Sequence, residues 1–340
     1  MADTAIKSPT AGGSRDGRGP FLQSVEMETA IELDGQYRAL REEAGFLARR
    51  RGVVLVKGPD GAEFLQGQLT NDVEALAANE GCYAALLDRK GHMQADMRVL
   101  RLSNGETWLD TETDAIEPVV RHLRMYSVGR EVEIEDATGA WAVTSLIGPG
   151  AGEAADTAPL PAEHAQRFLE RQGVEVLAVA TDLGFDLITR AEQESELRAL
   201  LEESAAVEVS EDAAEILRVE SGRPRFGHEM SNATIPQEAG IDARAVSFTK
   251  GCYIGQETVA RLHYKGKPNR HLRGLRLEAP VSSDEVIAYE AREVGRIGTA
   301  VTSPAHGPIA LAVIRREAEP GTQVEVGEEG VRAQVVELPF

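Results

Sequence analysis

Cys252, one of two cysteines in the 340 residues, stands in the run Lys250-Gly251-Cys252-Tyr253-Ile254-Gly255-Gln256-Glu257. It follows a lysine by two residues and precedes a helical pattern that starts near Gly255 and reaches Leu262, with Glu257 and Arg261 at i,i+4 spacing. A thiol beside a lysine and a helix N-terminus is shifted toward thiolate, the form that attacks carbon or sulfur and binds metal. Glycines on both sides allow a partner to approach closely. The same residue also fits a packing role, because free cysteine is among the most buried residue types. Local sequence leaves reagent, ligand and filler all open.

Asp96 is the second residue with chemistry in reach. It lies in Gly91-His92-Met93-Gln94-Ala95-Asp96-Met97-Arg98-Val99, at the entrance to an apolar strand. A carboxylate there suits a general base or the binding of an amine, the more so if burial raises its pKa. Pairing with Arg98 or another cation is the simpler alternative. No resident metal site is expected: the seven histidines are scattered, and neither CxxC nor HExxH occurs. One cysteine cannot hold an iron–sulfur cluster alone. Neither a P-loop nor a dinucleotide fingerprint is present, and Gly148-Pro149-Gly150-Ala151-Gly152 reads as a turn.

The net charge of −20 repels phosphate backbones and argues against a nucleic-acid partner. The local exception is a basic segment holding Arg261, Lys265, Lys267, Arg270, Arg273 and Arg276. It fits either an anionic small ligand or a solvated face. The densest apolar runs, such as Val53–Val56, are strand-sized and far below the ~18 residues of a membrane helix. Two cysteines exclude a disulfide framework, and the start of the sequence has no secretory apolar stretch, so cytoplasm is the expected compartment.

These residues need elements to position them. Residues 1–24 are rich in Gly, Ser and Arg and read as a disordered tail. A helical pattern from Gln36 to Arg51 precedes a strand at Val53–Val56. Asp60 and Glu63 resemble a capping box opening a helix that buries Phe64, Leu65 and Leu69. Cys82–Leu87 and Met97–Leu102 read as strands joined by the turn Asp88-Arg89-Lys90-Gly91. Ile116, Val119, Val120 and Leu123 mark an amphipathic helix with Pro118 near its start. Strands follow at 132–134 and 141–147, a loop at 148–160, a helix at Ala162–Gln172, strands at 174–180 and 185–188, and a helix at Glu192–Ser204. Ser210 caps a further helix closed by Gly222. From Leu272 onward short apolar runs broken by Gly and Pro predict a β-barrel or sandwich. The class is α+β. The echo of Gly81-Cys82-Tyr83 in Gly251-Cys252-Tyr253 is too short to be a repeat.

KGCYIGQETVARLHYKG resembles the signature of the YgfZ family of folate-binding proteins, relatives of the glycine-cleavage T-protein (aminomethyltransferase). Similar stretches are GPDGAEFLQGQLTND, GCYAALLDRKGHMQADMRV, Leu217–Gly227, Ile235–Ala239, and 295–303 with 307–312 near the C-terminus, so the likeness spans about residues 30–338. It implies a three-lobed ring of mixed and antiparallel sheets around a folate channel, in two lobes over 25–270 that divide near 135–150, with a barrel over 271–340. It implies tetrahydrofolate, or a one-carbon derivative, as cofactor. Asp96 matches the T-protein aspartate that works near folate N10, with Ala95 replacing a neighbouring acid. Asp182 stands where T-proteins carry the pterin-binding glutamate, in a degraded motif, and Arg218 fits the family arginine of LRxExG. Arg223, Lys250, Tyr253, Gln256 and Glu257 are further cofactor-binding candidates within the matched segments, and Cys252 is the essential thiol. The implied function is support of iron–sulfur cluster synthesis or repair in client or assembly proteins. Two alternatives follow from the same likeness: a true aminomethyltransferase, or a scaffold that has lost the chemistry.

Overall fold

The computed structural model describes residues 32–340, and the expected tail at 1–24 lies outside them. A helix over residues 32–42 (α1) gives way to strands β1 (Gly45–Arg49) and β2 (Arg51–Lys57). The helix expected through Arg51 therefore stops early. Gly45 packs so tightly on α1 that a Cβ there would lie 2.6 Å from Leu40 Cδ2, and β1 is held between two other strands. Non-local pairing overrides the local helical pattern.

The first sheet has the order β3-β4-β5-β2-β6, with β3 (Glu80–Leu87), β4 (Met93–Arg101), β5 (Thr107–Glu112) and β6 (Glu133–Asp136). Val54 and Val56 face helices α2 (Gly61–Gln68) and α3 (Ile116–Tyr126), where they join Phe64, Leu65, Val119 and Leu123. Val53 and Leu55, on the opposite face, pack with Trp108 against Val143, Leu177 and Ile188 of a second sheet. Burial on both faces explains why β2 reads as an unbroken apolar run. Asp60 does not cap α2. Its carboxylate accepts from Glu131 N at 2.8 Å, so the capping box is not formed, although α2 forms where expected.

The β3–β4 turn forms at Asp88–Gly91, with Asp88 Oδ1 accepting from Lys90 N and His92 N at 2.8 and 2.9 Å and Gly91 at φ +87°. β4 begins at Met93, four residues earlier than expected, which puts Asp96 inside the strand.

The second sheet runs β11-β1-β7-β10-β9-β8, with β7 (Trp141–Ile147), β8 (Gln166–Arg171), β9 (Val174–Ala180), β10 (Gly184–Arg190) and β11 (Val207–Glu208). Helices α4 (Ala151–Ala154) and α5 (Glu194–Glu203) cover its outer face. The helix expected at Ala162–Gln172 is β8 instead. Gln172 and Gly173 at φ +49° and +86° make a two-residue hairpin turn that pairs Arg171 with Val174, and that turn outweighs the local helical pattern.

Helix α6 (Glu211–Glu220) is capped as expected, Ser210 Oγ accepting from Ala213 N at 3.3 Å. After α7 (Asp242–Ala245) and α8 (Gln256–Lys265) the chain closes a six-stranded barrel, β12-β15-β14-β13-β16-β17. Its strands are β12 (Arg270–Leu277), β13 (Val286–Tyr289), β14 (Arg292–Ser303), β15 (Gly307–Arg315), β16 (Gln323–Val326) and β17 (Val331–Val336). α6 ties the parts together: its buried Glu220 accepts from Tyr37 Oη at 3.1 Å and from Ser303 Oγ at 2.5 Å. The architecture is α+β with a terminal barrel. Among the described residues no helix is long and apolar enough to cross a membrane.

Candidate functional site

Alternation along β4 creates the site. Ala95, Met97 and Val99 turn into the core beneath α2 and α3, so Asp96 and Arg98 turn the other way, toward a cavity of about 260 Å³. The cavity lies where the first sheet meets β7, β10, α6 and the segments around Arg223 and Arg244.

A charge network spans the two sheets there. Arg51 donates to Asp110 Oδ1 and to Glu112 Oε1, both at 2.7 Å, and Arg98 Nε donates to Asp110 Oδ2 at 2.5 Å. Arg98 Nη1 reaches across to Asp186 Oδ2 on β10 at 2.6 Å, while Ser145 Oγ donates to the other oxygen at 2.5 Å. Burial opposes ionisation of Asp110, yet the guanidiniums of Arg51 and Arg98 hold its carboxyl below the usual range. The expected Asp96–Arg98 pair does not form, because both carboxylates that Arg98 bonds belong to other strands.

Asp96 is bonded by Tyr83 instead. The Tyr83 hydroxyl donates to Asp96 Oδ2 at 2.5 Å, from the neighbouring strand β3. Burial raises the Asp96 carboxyl above its ordinary range, opposed by this hydrogen bond and by the Arg51 charge. A carboxyl raised in this way keeps its proton to higher pH than an exposed one.

Asp182, Arg218 and Arg223 also line the cavity. Arg223 Nε donates to Asp182 Oδ2 at 2.8 Å. Arg218 is clamped: it bonds Glu215 at 2.6 Å, Glu229 at 2.9 Å, Thr299 Oγ1 at 2.7 Å and the Arg223 carbonyl at 2.5 Å. Its guanidinium locks α6 to the barrel and to the turn bearing Arg223.

The signature residues do something different. Lys250 Nζ donates to the carbonyls of Gln66, Leu69 and Asn71 at 2.6, 2.8 and 2.8 Å, gripping the end of α2. Burial lowers this ammonium to about 8. The thiol that feels its charge is that of Cys82, which burial nevertheless pushes up to about 12. Tyr253 is buried with Ala85, Leu87, Met93 and Val259. Gly255, at φ +84°, lies so close to the β3–β4 turn that a Cβ would meet Asp88 O at 2.5 Å. The run is thus a strap over the hairpin bearing Tyr83 and Asp96. Gln256 and Glu257 occupy the first turn of α8, and no Glu257–Arg261 ion pair occurs among the described residues. Lys250, Cys252, Tyr253, Gln256 and Glu257 do not line the cavity. Cys252 is exposed, which settles against the packing role.

Sequence reasoning passed over Tyr83, Arg51, Asp110, Asp186 and His164. The tripeptide Gly81-Cys82-Tyr83 drew notice, but only as an echo. Among the described residues no group of three metal-ligating side chains converges.

Residues 26–250 match the family model described as the GCVT N-terminal domain, and residues 270–340 match the glycine cleavage T-protein C-terminal barrel domain. An aminomethyltransferase of Rubrobacter xylanophilus is 30% identical over 322 residues, 91% of this chain and 86% of the relative. A protein of Cronobacter sakazakii named tRNA-modifying protein YgfZ is 32% identical over 292 residues, 81% of this chain and 85% of its own. The crystal structure of glycine cleavage system aminomethyltransferase T from Bartonella henselae superposes with a TM-score of 0.81 over 91% of this chain and 89% of that one, at 21% identity, a likeness of fold.

Proposed function

The chain belongs to the glycine-cleavage T-protein family, and on that premise we propose that it binds a reduced folate in the central cavity and presents Cys252 to an iron–sulfur client or assembly protein. The observation that carries this reading is the separation of the two chemistries. Asp96 lies in the cavity bonded to Tyr83, whereas Cys252 is exposed on a strap anchored to the same hairpin. A thiol held outside the ligand cavity is placed to meet a macromolecule, while the strap couples its position to the cavity wall.

The cavity residues suit a folate. The volume of about 260 Å³ suits the ring end of the molecule, with the remainder leading outward. Tetrahydrofolate, when bound, supplies a carrier of one-carbon units. Asp96 with its raised pKa would hold or take a proton at Oδ1, the oxygen not bonded by Tyr83. Arg218 and Arg223 would shape the wall, and Arg50, an exposed cavity-lining residue, is available to an anionic tail. The tRNA-modifying role in the name of the Cronobacter relative would fall to a client enzyme, since a net charge of −20 opposes direct binding of a polyanion.

A second reading, an aminomethyltransferase, is favoured by Asp96 and by the likeness to relatives that carry that name. Against it, Ala95 is fully buried among Leu65, Leu86 and Met97, a site that packing denies to a second acid. Three measurements decide. Tetrahydrofolate titrated calorimetrically should give saturable heat, and absence of heat defeats the folate reading. Complementation of a cluster-repair-deficient strain should succeed with wild type and fail with Cys252→Ala; equal rescue removes the thiol from the function. Robust turnover with a lipoylated carrier protein and glycine-cleavage partners would transfer the conclusion to the aminomethyltransferase.

A further inference from the structure

We infer that His164 is a ligand-binding residue of the cavity, where an imidazole nitrogen accepts a hydrogen bond from an N–H of the bound heterocycle. The inference rests on the folate reading and names a residue that neither the family likeness nor the signature singles out.

The ring is built into place from both sides. His164 has φ +68°, in the left-handed region that residues other than glycine seldom occupy. Such strain persists only where the surroundings enforce it, and it clusters at functional sites. His164 N donates to Ala180 O at 2.8 Å and Ala180 N donates to Ala165 O at 2.9 Å, fixing the loop to the end of β9. On the other side the loop lies directly on β3, where Gly81 leaves no space: a Cβ there would meet His164 O at 2.7 Å. His164 is thereby seated two residues along β3 from Tyr83, and it lines the cavity.

Its polar atoms are not satisfied. The side chain is 10% exposed, and Nδ1 is buried with no hydrogen-bond partner. Buried polar atoms are nearly always paired, so the orphan on this lining residue is open to a partner brought by the ligand. Nε2 stands 3.7 Å from Glu163 Oε1, beyond hydrogen-bond distance, and a neutral imidazole with its proton on Nε2 carries its lone pair on Nδ1. Glu163 is itself bonded by Arg244, whose guanidinium lies 5.3 Å over the Tyr83 ring. Burial, then the charges of Arg98 and Arg244, hold the imidazole down to about 3, so it stays neutral and serves as an acceptor rather than as an acid or base.

Several other acceptors of the cavity are already engaged. Asp186 is bonded by Arg98 and Ser145, Glu112 by Arg51 and Arg225, and Asp182 by Arg223. Among the described residues lining the cavity, His164 is the one with a buried side-chain atom lacking a partner. An amino-oxo fused pyrimidine presents ring and exocyclic N–H donors; Asp96 Oδ1 and Asp182 Oδ1 stay open to some of them, and His164 Nδ1 is the buried acceptor available to a further one.

The test is tetrahydrofolate affinity, by calorimetry, of wild type, His164→Leu and His164→Asn. Leucine removes the acceptor and should weaken binding about tenfold, the usual scale for one lost hydrogen bond. Asparagine tolerates a left-handed backbone and can place its amide oxygen near the Nδ1 position, so it should recover most of the affinity. In protein with ¹⁵N-labelled histidine, the Nδ1 resonance absent from the His164→Asn spectrum should move on adding tetrahydrofolate. This readout stands even if His164→Leu fails to fold. If wild type binds, His164→Leu binds equally and the resonance stays fixed, the inference is overturned while the folate reading survives. If wild type binds no tetrahydrofolate, both fall.

Discussion

Arg223 closes on Asp182 with Nε at 2.8 Å and Nη2 at 2.6 Å from the same oxygen, Oδ2. The family likeness casts Asp182 as a pterin ligand, yet in this structure its charge is already answered. Both partners are about one-third exposed, a setting in which an ion pair contributes about 0.2–1 kcal/mol. Asp182→Ala should therefore lower the melting temperature only slightly and weaken tetrahydrofolate binding less than about fivefold on that scale. Loss of all calorimetric heat in Asp182→Ala would mean instead that the carboxylate leaves Arg223 for the ligand.

Asp96 makes stability depend on pH in a defined direction. Its folded-state pKa is raised above the unfolded value, mainly by burial. The folded state therefore keeps a proton that the unfolded chain gives up, and stability falls as pH rises from the unfolded carboxyl range through the folded pKa. Asp96→Asn removes that loss and can still accept from Tyr83. Thermal melts should show the variant more stable than wild type at pH 7, with the gain shrinking toward pH 3. A gain that is constant with pH would point to packing rather than ionisation.

The two thiols should react at very different rates. Cys252 is exposed, whereas Cys82, packed against the core beneath the first sheet's helices, is pushed to about 12 by burial. A pKa near 12 leaves Cys82 roughly three orders of magnitude less thiolate than an ordinary cysteine at neutral pH. Iodoacetamide followed by peptide mass spectrometry should find Cys252 labelled in the native protein and Cys82 only after denaturation. Cys252→Ala should bind tetrahydrofolate as wild type does, since the residue does not line the cavity.

The legible parts of this molecule were those written in local chemistry. The Ser210 cap, the Asp88–Gly91 turn and the glycine entry to α8 all depend on residues a few positions apart, and each formed. β1 reads as helix because its identity depends on strands distant in sequence, β11 and β7, whereas β8 reads as helix because its local pattern hides the Gln172-Gly173 turn that pairs it with β9. The site divides the same way. Asp96, Asp182, Arg218 and Arg223 line one cavity. Tyr83 could be placed beside Asp96 only by the β3–β4 register, in which Tyr83 faces Arg98 and Ala85 faces Asp96. His164 depends on a loop of the second sheet that lies against β3 of the first, which no local pattern announces.

Lys250 should prove structural when mutated. Its ammonium satisfies three backbone carbonyls at the end of α2, and Lys250→Met would leave them without that donor in a largely buried setting. A loss of about 3 kcal/mol follows from removing a charged donor from buried acceptors. Urea unfolding should show a lower midpoint with an unchanged slope. A variant of wild-type stability that fails complementation would instead give the lysine a direct role beside Cys252.

Gly81 tests whether the wall built around His164 matters. A methyl group there would fall 2.7 Å from His164 O and 2.8 Å from Val99 O, and both are backbone atoms that cannot swing aside. Gly81→Ala must therefore push the 161–165 loop off β3 or part β3 from β4, at a cost of about 1–3 kcal/mol. Displacing the loop moves the imidazole, so tetrahydrofolate affinity should fall together with stability, to about the level of His164→Leu. Gly67→Ala in α2 is the matched control: nothing lies within 4 Å of the added methyl, and alanine in a helix is favoured over glycine by about 0.5–1 kcal/mol. That variant should melt at or above the wild-type temperature and keep full affinity. If Gly81→Ala loses stability but binds normally, the glycine serves the fold alone and the position of His164 has no bearing on the ligand.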